Sequence, residues 1–261
     1  MISTAASDLA EATRLGGTVV ISQPMFFPWV GMLEQLCLAD TFVHYDDVQF
    51  AKGSFANRVQ IKTRAGVQWL TVPLRDKKLG QRILDIQVDE SSGFRKRHLT
   101  TLRQAYAAAP FRDEMLACAE RVYRAPSAWL ADLAIESMTA LCGAFSIAPR
   151  QSVRSSQLAI PGSSSARVLE VVRRFRGKRY VTGHGAQHYL DHQSFEESGV
   201  DVHYMDYRKQ PYPQRFGEFT PFVSGLDLLA NLGSEGRSLI KPSAIPWRHF
   251  LESVSDETVQ A

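Results

Sequence analysis

Residues 19–62 read VVISQPMFFPWVGMLEQLCLADTFVHYDDVQFAKGSFANRVQIK. A short apolar run, 18–22, is stopped by Pro24, which cannot donate to a β-ladder. Pro28 stands where a helix can start, because its missing N–H costs nothing there. Val30, Leu33, Leu36 and Cys37 then fall on one face at helical spacing. A second apolar run, 41–45, ends in Asp46-Asp47. Strand, loop, helix, strand in so few residues predicts a parallel pair joined by a helical crossover. The polar groups that follow both runs predict a small-molecule site just beyond the strand ends.

The rest of the chain extends that pattern. Segments 57–62 and 68–74 predict a hairpin around Ala65-Gly66. Residues 83–88 are expected to form a further strand. Residues 94–108, 111–123 and 127–143 predict three helices punctuated by Pro110 and Pro126. Beyond Pro149 the alternation of strand and helix returns, with strands at 152–155, 179–182 and 200–204 and a helix at 164–175. A loop-rich stretch with Pro211, Pro213 and Pro221 precedes a helix at 223–232, closed by Gly233. The expected fold is α/β, a Rossmann-like, mostly parallel sheet with a helical insertion or lobe at about 94–143. Residues 1–17 read as a flexible extension, 18–235 as the α/β domain and 236–261 as a tail that frays from 253.

Composition narrows the class. The 261 residues are 44% hydrophobic and 22% charged, the profile of a globular chain that can bury a core. A net charge of +3 suits an anionic ligand without demanding one. Cys37, Cys118 and Cys142 are far apart and form no CxxC pair, which argues against zinc ribbons and redox motifs and favours a reducing cytosol. Nothing in the first residues resembles a signal peptide, and no window approaches a membrane span, so a cytoplasmic location and no membrane partner are expected.

Several positions are candidates for chemistry. Gln23, Phe27 and Trp29 would line the pocket, Gln as donor and acceptor and the aromatics as a wall; the alternative is a well-packed turn. Asp46 and Asp47 are candidate general bases or Mg²⁺-phosphate ligands, although neighbouring side chains on a strand end point to opposite sides. Gln49, Lys52, Asn57 and Arg58 form a polar run in which Arg58 would clamp an anion or pair with Asp46 or Asp47. Lys62 is expected to be exposed. His98 and Tyr106 lie two helical turns apart on a helix made basic by Arg95, Lys96, Arg97 and Arg103, either an anion- or RNA-facing surface or a solvated face. Thr182-Gly183-His184-Gly185-Ala186 follows a strand and opens a helix, so Gly183, Gly185 and nearby Tyr189 would cradle an anion, with His184 as acid or base. His188 occupies the third glycine position of G-x-G-x-x-G, which disfavours a dinucleotide. Tyr204, Tyr207, Tyr212 and Phe216 suggest a lid, a base-stacking surface or a packed loop. Ser163 to Ser165 read as helix-cap chemistry.

One resemblance covers about residues 18–235. Gln23-Pro24, Phe27-Pro28-Trp29, Gly31, Asp46-Asp47-Val48-Gln49-Phe50 and Asn57-Arg58 resemble the WbqC-like family. Trp69-Leu70, Val72-Pro73, His98, Tyr106, Ala109-Pro110, Tyr180 through Leu190, Asp227-Leu228, Asn231 and Gly233 continue the likeness. The resemblance implies a role in bacterial surface-polysaccharide (O-antigen) or natural-product biosynthesis, and glycine-type aminoacyl transfer onto an amino sugar. It places His immediately before the Gln-Pro pair, where this chain has Ser22; His44 and His184 are the replacements to test. The expected function is therefore an acyl or aminoacyl transferase forming an amide on an amino sugar or small metabolite, with aminoacyl-tRNA as a donor suggested by the basic helix. Alternatives are an Mg²⁺-dependent ligase or nucleotidyltransferase, whose fold the opening unit resembles without the H-x-G-H signature, and a non-catalytic assembly protein. DNA is not an expected partner.

Overall fold

The computed structural model describes residues 17–259. The expected N-terminal extension lies, apart from Gly17, outside them. Strand β1 (Thr18–Ser22) leads through α1 (Val30–Leu38) to β2 (Thr41–His44). A hairpin, β3 (Arg58–Thr63) and β4 (Gly66–Thr71), and helices α2 (Phe94–Ala105), α3 (Arg112–Arg124) and α4 (Leu130–Ala144) follow. Then come β5 (Gln151–Arg154), α5 (Ser164–Arg174), β6 (Arg179–Thr182), α6 (His192–Glu197), β7 (Asp201–Met205) and α7 (Gly225–Leu232). Strand β8 (Ala244–Pro246) and helix α8 (Trp247–Val259) complete the order.

Six strands form one sheet in the order β5-β2-β1-β6-β7-β8, and β8 alone pairs antiparallel. Numbered within the sheet, this is 3-2-1-4-5-6, the doubly wound order in which ligands bind where the winding reverses. The reversal falls between β1 and β6, which pair in register from Thr18↔Arg179 to Val20↔Val181. The sheet is therefore Rossmann-like, as its sequence rhythm predicted.

Alternation along β1 explains its unbroken apolar run. Val20 packs with Phe42 on one face against α1, α3, α4 and α7, while Val19, Ile21 and Val43 face α5, α6 and α8. A strand covered on both sides has no polar positions to alternate. The helical lobe joins the first of these cores through Phe94, Leu102, Met115, Val122, Leu133 and Leu141. A smaller core of Phe50, Ile83, Ile86 and Leu130 lies under the loop after β2.

Two segments depart from the sequence reading. Residues 83–88 do not form a strand. Ile83–Asp85 is a 3₁₀ turn, after which only single bridges, Gln87↔Trp129 and Leu74↔Val88, form. Ile83 and Ile86 are three apart, the spacing that a 3₁₀ turn superposes and a strand splits between faces. Beyond 235 the chain returns to the sheet. Strand β8 pairs with β7, and Phe250 of α8 stacks on Tyr204 with centroids 4.2 Å apart. Pro246 ends an edge strand, where its missing N–H is tolerated. Among the described residues no helix is long and apolar enough to cross a membrane.

Candidate functional site

An open cleft of about 700 Å³ lies beyond the C-terminal ends of β1, β2 and β6, at the winding reversal. Ile21, Ser22 and Gln23 enter it from β1, Tyr45 and Asp47 from β2, and Thr182 and Gly183 from β6. Trp29, Met32 and Gln35 of α1 form one wall. Gly162, Ser163, Ser164 and Arg167, at the start of α5, form the facing one. Tyr207, from the loop after β7, closes one side, and its hydroxyl accepts from Gln35 Nε2 at 2.6 Å.

The cleft's central charged element is Asp47 with Arg167. The guanidinium grips the carboxylate with two nitrogens, Nη1 at 3.1 Å and Nη2 closer. Ser155 Oγ donates to Asp47 Oδ1 at 2.6 Å. Burial alone would push this carboxyl up, but the bonds from Arg167 and Ser155 outweigh it and hold Asp47 below the usual carboxylate range. Asp47 is thus an ionised anchor at neutral pH and a weak proton acceptor. Arg167 also lies over the Tyr45 ring, 5.0 Å from its centroid. No side chain caps α5 at Ser163, contrary to the expected cap chemistry; the Ser165 hydroxyl instead accepts from the Asp191 amide. The start of α5, which no side chain caps at Ser163 and which carries the positive end of the helix dipole, therefore borders the cleft. Ser164 holds φ +54, a left-handed conformation that non-glycine residues rarely adopt.

Asp46 belongs elsewhere. It is fully buried, with Arg154 Nε at 2.5 Å, Ser156 Oγ at 2.9 Å, the Ser156 amide at 3.1 Å and Ser155 Oγ at 3.2 Å. The adjacent aspartates lie in the turn after β2 and both approach the Ser155 hydroxyl, but they take different arginines, Arg154 for Asp46 and Arg167 for Asp47. Asp46 clamps β2 to β5, and only Asp47 reaches the cleft. Arg58 pairs with neither: it donates to the Gly53 carbonyl and lies over Trp69 at 4.2 Å.

Of the residues read as substrate-binding, Gln23, Trp29, Gln49, Gly183, Gly185 and Tyr189 line the cleft. The others do not. Phe27 is fully buried, edge-on to Phe26 and Tyr123. His98 is buried with Nδ1 2.9 Å from the Tyr123 hydroxyl, and burial lowers it to about 4. Tyr106 donates to Asp227 at 2.9 Å inside the core. Asn57 is buried and bonds the Val72 carbonyl; Lys52 is exposed. His184 is exposed, but its Nε2 meets the Met205 carbonyl at 2.7 Å and its ring packs on Tyr207 and Phe250, so its flanking glycines rather than its imidazole border the cleft. His44, buried and lowered to about 4 by desolvation, bonds Ser152 Oγ at 2.9 Å and is no substitute base.

Two of the four basic residues of α2 have carboxylate partners within the fold, while Lys96 and Arg97 are exposed. Arg95 donates to the carbonyls of Tyr123, Ala125 and Ser127 and pairs with Glu90, and Arg103 pairs with Glu120. Lys62 is buried rather than exposed and ties Gln214, Gly217 and Glu218 of the aromatic loop to the hairpin. Tyr212 of that loop donates to Asp227 at 2.8 Å. Tyr207 and Tyr212 are therefore walls and anchors of a packed loop.

Sequence reading missed Arg167, Gln35 and Tyr45. Arg167 carried a signal: it interrupts the apolar face that Val168, Val171 and Val172 give α5, and an arginine on a buried face requires a partner.

A profile of the WbqC-like protein family matches residues 23–239. A Mycobacterium tuberculosis (strain ATCC 25618 / H37Rv) protein described as "Uncharacterized protein Rv1507c" is 30% identical over 237 residues, 85% of this chain and 97% of the relative. No solved structure matches the chain.

Proposed function

The chain belongs to the WbqC-like protein family, and from that premise we propose that the switch-point cleft binds a small metabolite through an anionic group at the start of α5 and is the site of acyl or aminoacyl transfer to an amine. The observation that supports this reading is the meeting, in one cleft, of an uncapped helix N-terminus, the Asp47–Arg167 pair and the amide-bearing Gln23 and Gln35. Backbone N–H groups at such an end take phosphate or carboxylate. Amide formation there needs no covalent enzyme intermediate: the amine nitrogen attacks an activated acyl carbon, the C–N bond forms as the bond to the leaving group breaks, and the amine proton passes to solvent or the leaving group. What the cleft contributes is orientation.

The donor remains to be tested. Arg95 and Arg103 of α2 are paired with Glu90 and Glu120, which leaves Lys96 and Arg97 exposed on that helix; RNase treatment of a turnover assay distinguishes an aminoacyl-tRNA donor from a free acyl thioester. Both carboxylates suited to Mg²⁺ on the nucleotidyltransferase reading are gripped by arginines, so no observation favours that second reading.

Gly185 provides the direct test. It lines the cleft, and a Cβ added there meets nothing within 4 Å. Gly185→Trp therefore projects a large side chain at the cleft wall with no clash at its Cβ. Wild-type protein exposed to cell extract should retain a small anionic molecule in native mass spectrometry, and the variant should lose it at an unchanged melting temperature. Equal retention by both proteins would place the ligand elsewhere.

A further inference from the structure

Three residues that line the cleft, Gly183 after β6, Gln35 of α1 and Tyr207 after β7, meet at one point. Tyr207 is held in place there. Its ring packs on Trp29 and His184, with centroids 4.9 Å and 5.1 Å away, and its hydroxyl oxygen accepts from Gln35 Nε2 at 2.6 Å. Gln35 is itself only 5% exposed.

That bond uses one hydrogen. The phenol's own hydrogen and the second hydrogen of Nε2 have no acceptor among the described residues. Burial pushes the Tyr207 hydroxyl up to about 12, against the lowering effect of the Gln35 bond, so the phenol keeps its hydrogen at neutral pH. Accepting one hydrogen bond also strengthens it as a donor.

Gly183 shows what these donors face. A Cβ built on it would stand 3.4 Å from Tyr207 Oη and 3.5 Å from Gln35 Nε2, and apart from its chain neighbours nothing else comes within 4 Å. The two polar atoms therefore border one opening, with bare glycine beside them and the cleft of about 700 Å³ beyond. Gly183 holds φ −80, which any residue adopts, so the backbone does not require glycine here. What glycine provides is an uncovered pair of donors. An apolar group seated there would leave both donors unpaired, whereas an oxygen with two lone pairs satisfies both.

We propose that Tyr207 Oη and Gln35 Nε2 form a two-donor pocket for the oxygen of an acyl group, reached past Gly183. This assignment rests on the reading of the cleft as a site of acyl transfer to an amine. As the amine nitrogen bonds to the acyl carbon, the π pair of the C=O bond moves onto oxygen, where the two hydrogen bonds hold the charge. The pair returns as the bond to the leaving group breaks, and the amine proton passes to solvent or the leaving group. Donors fixed in advance need no reorganisation as that charge develops.

The test uses N,S-diacetylcysteamine ¹³C-labelled at the thioester carbonyl, followed by isotope-edited infrared spectroscopy, with the S-ethyl thioether as the control that lacks this oxygen. Bound to wild type, the labelled carbonyl should absorb at lower frequency than in an apolar solvent. Tyr207→Phe and Gln35→Leu should each move it back towards the apolar value and weaken thioester binding about fivefold, the worth of one hydrogen bond, with thioether binding unchanged. Gly183→Ala, which covers both donors without removing them, should also move the band back. If Gln35→Leu fails to fold, Tyr207→Phe and Gly183→Ala still decide. A thioester that binds wild type and is excluded by Gly185→Trp, but whose carbonyl is indifferent to Tyr207→Phe, overturns the pocket and leaves the cleft reading standing. A thioester that does not bind wild type overturns the pocket as well, while anion retention in native mass spectrometry, and its loss in Gly185→Trp, reports the cleft separately.

Discussion

Asp46→Asn separates a structural from a catalytic role for the first of the paired aspartates. The carboxylate is fully buried among four donors, the closest being Arg154 Nε at 2.5 Å. Asparagine matches its shape, but it removes the charge and turns one acceptor into an NH₂ group among donors. Breaking a buried ion pair from one side costs roughly 3–5 kcal/mol. Arg154 is 29% exposed and keeps a second partner, Asp132 at 2.6 Å, which reduces the loss to roughly 2–3 kcal/mol. For a domain of this size each kcal/mol moves the melting temperature by about 2–4 °C, so a drop of about 4–12 °C is expected. Urea denaturation with the slope held common to both proteins, alongside a thermal scan, measures it. Asp132→Asn is the internal control: that carboxylate is 39% exposed, and its loss should cost no more than about 1 kcal/mol. A melting temperature for Asp46→Asn within about 1 °C of wild type would refute the clamp between β2 and β5.

Two further outcomes follow from packing and charge. At Gly31 an added Cβ would lie 2.2 Å from the Trp29 ring, so Gly31→Ala must displace the indole. Overpacking costs about 1–3 kcal/mol and alanine returns about 1 kcal/mol of helix propensity, so stability falls modestly while Trp29 emission, isolated by subtraction of a Trp29→Phe protein, shifts clearly; unchanged emission would contradict the close approach. His98 is held neutral in the fold at about 4, below its unfolded value, so its stabilisation is present above about pH 6.5 and is lost as pH falls towards 4. Glu34 runs the other way: with its carboxyl raised to about 7, its contribution is full below about pH 4.5 and is lost as pH rises through 7. The stability difference between wild type and His98→Phe should therefore shrink between pH 6.5 and 4, by up to about 3 kcal/mol, and a difference equal at both ends would contradict the neutral buried imidazole.

The parts of this molecule that could be read in advance are those in which the signal is local. Proline after β1, helical spacing from Val30 and a glycine at 233 are physical instructions carried by a few neighbouring residues. Gly233 indeed holds φ +59 at the end of α7. Gln23, Trp29, Gly183 and Gly185 meet at one cleft because loops beyond parallel strands converge on one edge of the sheet. Phe27, His98 and Tyr106 misled because an aromatic or histidine on an amphipathic segment carries the same pattern whether it meets a ligand or a core.

By itself, the chain's order of residues decided most of the elements and the parallel winding, which follow from backbone preference and apolar period over short spans, though not the turn at 83–85 or strand β8. The tertiary structure alone decided which charges meet. Asp47 finds Arg167 across 120 positions, Asp46 finds Arg154 across 108, and Lys62 reaches Gln214 across 152. With 30 lysines and arginines and 27 aspartates and glutamates, almost any pairing satisfies charge. Only the packing of α5, β5 and the aromatic loop selects among them.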